Sequence, residues 1–135
     1  AIALMESGRP RVGGLAPWPW TLWLPGRGGV FLETREQALS TLRAHSDAAV
    51  DVGLMQVNLR WHGHRVASPE ALLEPARNLE IAAVILSEAL ATAPADLELG
   101  IGRYHSPNEA RARDYGRTVL TIWRGLRQLG GGAAP

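Results

Sequence analysis

The sequence contains no cysteine and no lysine. Without cysteine there is no thiol nucleophile, no disulfide framework and no cysteine-based zinc site. Without lysine there is no Schiff-base chemistry and no P-loop lysine. All 14 basic side chains are arginine, and the net charge is only +1, too small for nucleic-acid binding on electrostatic grounds. No run of about 18 apolar residues is present, so no membrane-spanning helix is expected. No signal peptide is visible. The opening "AIALMESG" reads as the middle of an apolar helix, consistent with removal of an upstream stretch. The missing cysteine assigns no compartment.

What is present suits one compact domain. The chain has 135 residues, 46% hydrophobic and 20% charged, enough apolar material for a working core. Residues 1–129 are expected to fold together, and residues 130–135, with the Gly-rich "GGGAAP", to form a flexible tail. Ala1–Ser7 reads as a short apolar helix. "GRPRVGGLAPWP" breaks it with Gly and Pro. "TLWL" and "VFL" around "PGRGG" predict a β-hairpin. Thr34 and Gln37 form a capping-box pattern ahead of a helix over Arg35–Ala44, with Ala38, Leu39 and Leu42 as its apolar face.

"HSDAAVDVG" is an irregular approach to "GLMQVN". "WHGHRVASPE" is a loop, with Ser68 as a cap and Pro69 suited to a first helical position. Arg77–Leu90 is a helix with Leu79, Ala82, Ala83, Leu86 and Leu90 at helical spacing. Leu97–Tyr104 is a shorter one. Asn108–Leu129 is the last, with Tyr115, Val119, Ile122 and Leu126 along one side. The fold class is α+β, mainly α, with a small β-hairpin.

Glu6 is the first candidate for chemistry. It follows Ile2, Ala3, Leu4 and Met5. A carboxyl in apolar surroundings loses hydration, which favours the protonated form that a general acid needs near neutral pH. The plainer reading is a solvent-facing Glu on an amphipathic helix. Gln56 and Asn58 are the next candidates. Their amides each offer a donor and an acceptor, suited to hydroxyl and N-acetyl groups. Gly53 allows close approach to the backbone. The plainer reading has the amides bonding nearby backbone.

The combination is more specific than its parts. "ESG" at Glu6-Ser7-Gly8 and "GLMQ" at Gly53-Leu54-Met55-Gln56 are followed by Glu74-Pro75 with Asn78-Leu79, then by Tyr104. This ordered set resembles the lytic transglycosylases of the SLT, lysozyme-like group, over about Ala1 to Trp123. The resemblance implies a lysozyme-like fold and cleavage of the β-1,4 bond between MurNAc and GlcNAc in peptidoglycan. Glu6 would be the catalytic acid and base. Met55, Gln56 and Tyr104 would line the glycan cleft, with Ser7, Gly53 and Asn58 in support. No cofactor or metal would be needed. Peptidoglycan strands would be the substrate, in the periplasm or cell envelope. "GRYHSPN" departs from the "AYNAG" usual there, with His105 in place of an Asn. The stretch "PWPWTLWLPGRGGVFLETREQA" is similar to one in accessory transglycosylases of envelope-spanning secretion or conjugation machines.

"DVGLMQVNLRW" also resembles "DYGILQINSRW" of the c-type lysozymes. There the leading Asp is the second catalytic carboxylate, so Asp51 is a candidate for that role. Retaining glycosidases use two nearby carboxylates. The alternative use of Asp51 is to hydrogen-bond the motif's own turn. A single-Glu transglycosylase is the preferred reading. A hydrolase and a catalytically weak glycan-binding module of a secretion apparatus stay open.

Other residues carry weaker signals. Ser7 could orient Glu6 or cap its helix, and Tyr104 could tune Glu6 or be a half-buried Tyr. His62 and His64 lack the partners of a zinc site. Glu33 and Glu36 complement a helix dipole, and Glu33 could also approach a cleft. Trp18, Trp20 and Trp23 cluster in sequence, as a glycan surface or as a small aromatic core.

Overall fold

A computed structural model describes residues 1–45 and 49–130. Part of the irregular approach, at 46–48, and most of the expected tail, at 131–135, lie outside the described residues. Residues 2–82 form one compact unit, and Ala1 with the residues from Ala83 onward forms another. The fold is mainly α with small antiparallel sheets, as expected.

The first unit opens with helix α1 (Ile2–Ser7), which buries Ile2 and Ser7. The Gly- and Pro-rich segment that ends α1 does more than break it. It folds as a hairpin of β1 (Gly8–Arg11) and β2 (Gly14–Pro17). Period-2 burial could not reveal this hairpin, because its strands bury almost nothing. The expected hairpin follows as β3 (Thr21–Leu24) and β4 (Gly28–Phe31). Two short strands, β5 (Asp51–Val52) and β6 (Val57–Asn58), extend it into a sheet of order β4-β3-β5-β6.

Helix α2 (Arg35–Ala44) begins where the capping box requires. The Thr34 hydroxyl accepts the Gln37 N–H at 3.2 Å, and the Gln37 carbonyl oxygen accepts the Thr34 N–H at 3.4 Å. Ala38 and Leu42 face the core, and Leu39 is half-buried. Arg43 pairs with Glu70 and Arg35 with Glu74. Thr34→Ala should cost about 1 kcal/mol through loss of the cap. Urea denaturation followed by circular dichroism checks this, and an unchanged midpoint would show that the cap contributes nothing.

Asn58 caps the one-turn helix α3 (Leu59–His62) by accepting the Trp61 N–H at 3.2 Å. Helix α4 (Pro75–Ala91) starts two residues before the expected point. Its buried face also differs. Asn78, Ile81, Ala82, Ile85 and Ala89 are buried, whereas Leu79 is 46% exposed and Ala83 is also exposed. Both sets have helical spacing, so periodicity alone could not choose between them. The set actually buried includes a polar residue, Asn78.

In the second unit, Asp96 caps helix α5 (Leu97–Gly102) by accepting the Leu99 N–H at 3.0 Å. That bond, followed by the Arg113 guanidinium, holds the Asp96 carboxyl below its usual range. α5 lies against helix α6 (Glu109–Gly130). A Cβ at Gly102 would sit 1.8 Å from the Ala112 carbonyl oxygen, so the crossing requires glycine there. α6 buries Ala112, Tyr115, Gly116 and Val119. Its expected apolar side runs out after Val119. Ile122 is half-buried and Leu126 is exposed. Among the described residues, no helix is long and apolar enough to cross a membrane.

Candidate functional site

Seven of the eight residues singled out from the sequence fall in the first unit, around a turn between β5 and β6. Val52 pairs with Val57, and the four residues Gly53–Gln56 close the loop. The Gln56 N–H donates to the Gly53 carbonyl at 3.2 Å. Gly53 has φ +81° and Gln56 φ +48°. The left-handed region is natural for glycine but costs an L-residue roughly 1–2 kcal/mol. The Gln56 side chain offsets this by holding the turn. Its amide nitrogen donates to the carbonyls of Thr21 at 3.0 Å and Gly53 at 2.9 Å. Both amide hydrogens are therefore committed to backbone. What Gln56 can offer a ligand is its carbonyl oxygen.

Asn78 supports the same turn from the other side. Its side chain is completely buried. Its Oδ1 accepts the Met55 N–H at 2.9 Å, and its Nδ2 donates to the carbonyls of Val52 at 2.8 Å and Leu72 at 2.9 Å. One carboxamide thus bonds three backbone groups, one in β5, one in the turn and one in the segment before α4. This requirement turns α4's Asn78 face inward. The contact is also why position 53 must be glycine, since a Cβ there would lie 2.4 Å from Asn78 Nδ2 and 2.7 Å from the Leu72 oxygen. In the sequence Asn78 stands out only within the motif Glu74-Pro75 with Asn78-Leu79. The available signal was a polar residue in register with Ile81, Ala82, Ile85 and Ala89.

Ser7 joins the Glu6 helix to this turn. Its hydroxyl lies 2.7 Å from the Leu54 carbonyl oxygen and 3.1 Å from that of Ala3. One proton serves one acceptor well, and the shorter contact reaches the turn. The Ser7 carbonyl in turn accepts the Trp18 N–H at 2.9 Å. At 1% exposure, Ser7 is a positioning residue rather than a ligand contact. Glu6, next to it, is half-buried at the end of α1. Met55 is buried, with 8% of its surface exposed.

Asp51 and Asn58 are opposed across β5 and β6. Asn58 Nδ2 donates to Asp51 Oδ1 at 2.7 Å. Asp51 therefore bonds a side chain on the strand leaving the turn, and it is half-buried.

Tyr104 lies in the second unit, half-buried just after α5. His105 stacks flat on Tyr115 with ring centroids 4.6 Å apart and planes within 2°. Ser106 accepts the Asn108 N–H, and Asn108 accepts the Arg111 N–H, so this loop builds the start of α6.

The tryptophans separate. Trp18 and Trp20 meet edge to face at 5.2 Å, and the guanidiniums of Arg9 and Arg11 lie over Trp18 at 4.8 and 4.1 Å. Trp18 also donates to the Leu32 carbonyl at 2.7 Å. These two are half-buried packing residues. Trp23 instead stands exposed on β3. Glu33 pairs with Arg9, which holds its carboxyl below the usual range. His62 accepts a hydrogen bond from Arg65 at 3.2 Å. Among the described residues, no three His, Cys, Asp or Glu side chains are grouped as metal ligands.

Glu6 thus precedes Ser7, which bonds a turn whose Gln56 and Asn78 side-chain amides are held by backbone groups. Such a site can protonate a leaving oxygen and hold neutral polar substrate groups. Comparison of the chain with protein-family models, with curated proteins and with solved structures gave no match.

Proposed function

We propose that this chain is a peptidoglycan lytic transglycosylase of the lysozyme-like kind. The observation that carries the reading is the Ser7–Leu54 hydrogen bond, which joins the "ESG" helix end to the "GLMQ" turn. Two motifs 47 positions apart are thereby held in contact. The resemblance in sequence supplies the chemistry. Glu6 protonates the glycosidic oxygen as its bond to C1 breaks. The same carboxylate then takes the proton of the sugar's C6 hydroxyl, whose oxygen bonds to C1. The proton count balances, no water is consumed, and the product ends in 1,6-anhydro-MurNAc. The turn around Gln56 and Met55 would contribute to the glycan cleft. Such an enzyme acts in the periplasm or cell envelope, alongside a secretion or conjugation machine that must pass the wall.

A second reading, a muramidase using Glu6 and Asp51, draws on the half-buried Asp51 carboxylate beside the turn. Mass spectrometry of muropeptides released from purified peptidoglycan separates the two. The transglycosylase releases products one water lighter than reducing sugars. Reducing ends would replace it with the hydrolase. Binding to the sacculus with no release would replace both with a glycan-binding module.

A further inference from the structure

The four-stranded sheet has two faces of opposite character. Register aligns Leu22 with Val52 and Val52 with Val57. These three are at most 1% exposed. The neighbouring row aligns Gly29, Trp23, Asp51 and Asn58, and directly opposed residues share a face. This row therefore points away from the core. Trp23 is 43% exposed within it. Among the described residues, no ring or guanidinium stacks on Trp23, in contrast to Trp18. Gly29 leaves its other side open, since a Cβ there would meet nothing within 4 Å.

From this row we infer that Trp23 is a glycan-stacking residue, holding one pyranose ring of a β-1,4 strand while Asp51 and Asn58 hydrogen-bond its hydroxyls. The inference rests on the functional reading above and adds a specificity residue to it. A pyranose has an apolar C–H face and a rim of hydroxyl groups. The indole matches the face, and the neighbouring carboxylate and amide match the rim. An apolar helix fits less well. It would bury the polar Asp51 and Asn58 side chains without offering them hydrogen-bonding groups, whereas a sugar offers both donors and acceptors.

The test uses the full chain carrying Glu6→Gln, with peptide-free glycan strands of peptidoglycan as the probe. Calorimetry should show binding weakened about tenfold or more by Trp23→Ala and restored to within about threefold by Trp23→Phe. The Trp23 indole N–H resonance should shift on titration. If Trp23→Ala does not fold, Trp23→Thr, a good strand former, takes its place under the same criterion. Unchanged affinity in the ring-less variant, with the Glu6→Gln parent binding normally, overturns the stacking role and leaves the functional reading standing. If the parent binds no glycan and the unmodified chain releases no muropeptides, both fall together.

Discussion

Asn78→Ala is expected to destabilise the first unit by about 3–5 kcal/mol, among the larger effects of a single substitution. Truncation leaves the Met55 N–H and the Val52 and Leu72 carbonyls without their partner. Each unsatisfied buried group costs roughly 1–3 kcal/mol, with partial relief where water enters the cavity. Asn78→Asp should also be damaging at neutral pH. It keeps an acceptor for Met55, but turns an oxygen toward two carbonyls and introduces a buried charge. A carboxyl in that site would titrate above its unfolded value. The charge penalty should therefore be absent below the unfolded value and grow as pH rises toward the folded one, while one of the two carbonyls lacks its donor at any pH. Trp18, Trp20, Trp23 and Trp61 make fluorescence a reporter of this unit. Urea midpoints for Asn78→Ala within about 1 kcal/mol of the parent would overturn the role given to Asn78.

Glu6→Gln should lower turnover of purified peptidoglycan about 10²–10⁴-fold while glycan affinity changes little. Glutamine keeps the shape of the side chain but can neither give nor take the proton. Ser7 continues to tie the helix end to Leu54, so the fold should survive. The paired variant is Asp51→Asn. The single-Glu mechanism expects a modest loss, because the amide retains one oxygen for the Asn58 bond. The two-carboxylate mechanism expects a loss comparable to that of Glu6→Gln. Full activity in Glu6→Gln would remove Glu6 from the chemistry altogether.

Much of the fold was legible because its causes are local. The α2 boundaries follow from Thr34 and Gln37, three residues apart, and from an apolar face one turn long. The β3–β4 hairpin follows from the Gly-rich turn between two apolar runs. The β1–β2 hairpin was not legible, because its strands lack the alternation that betrays a half-buried sheet. The face of α4 was misjudged for a related reason. Leu79 is the more hydrophobic residue, yet Asn78 is the one that three backbone groups require.

The candidate site divides in the same way. Glu6, Gly53, Gln56 and Asp51 could be picked out from residue type and order alone. Their division of labour could not. Gln56 and Ser7 turned out to spend their donors on backbone, and Asp51 to bond Asn58.

By itself the sequence determined which chemistries are absent and where most helices begin and end, because those depend on residue type and on neighbours within one turn. Only the tertiary structure decided that Asn78 is internal, that Trp18 is packed while Trp23 is open, and that Trp23 shares a row with Asp51 and Asn58. Those outcomes depend on strand pairing and backbone satisfaction between segments distant in sequence, which no local period encodes.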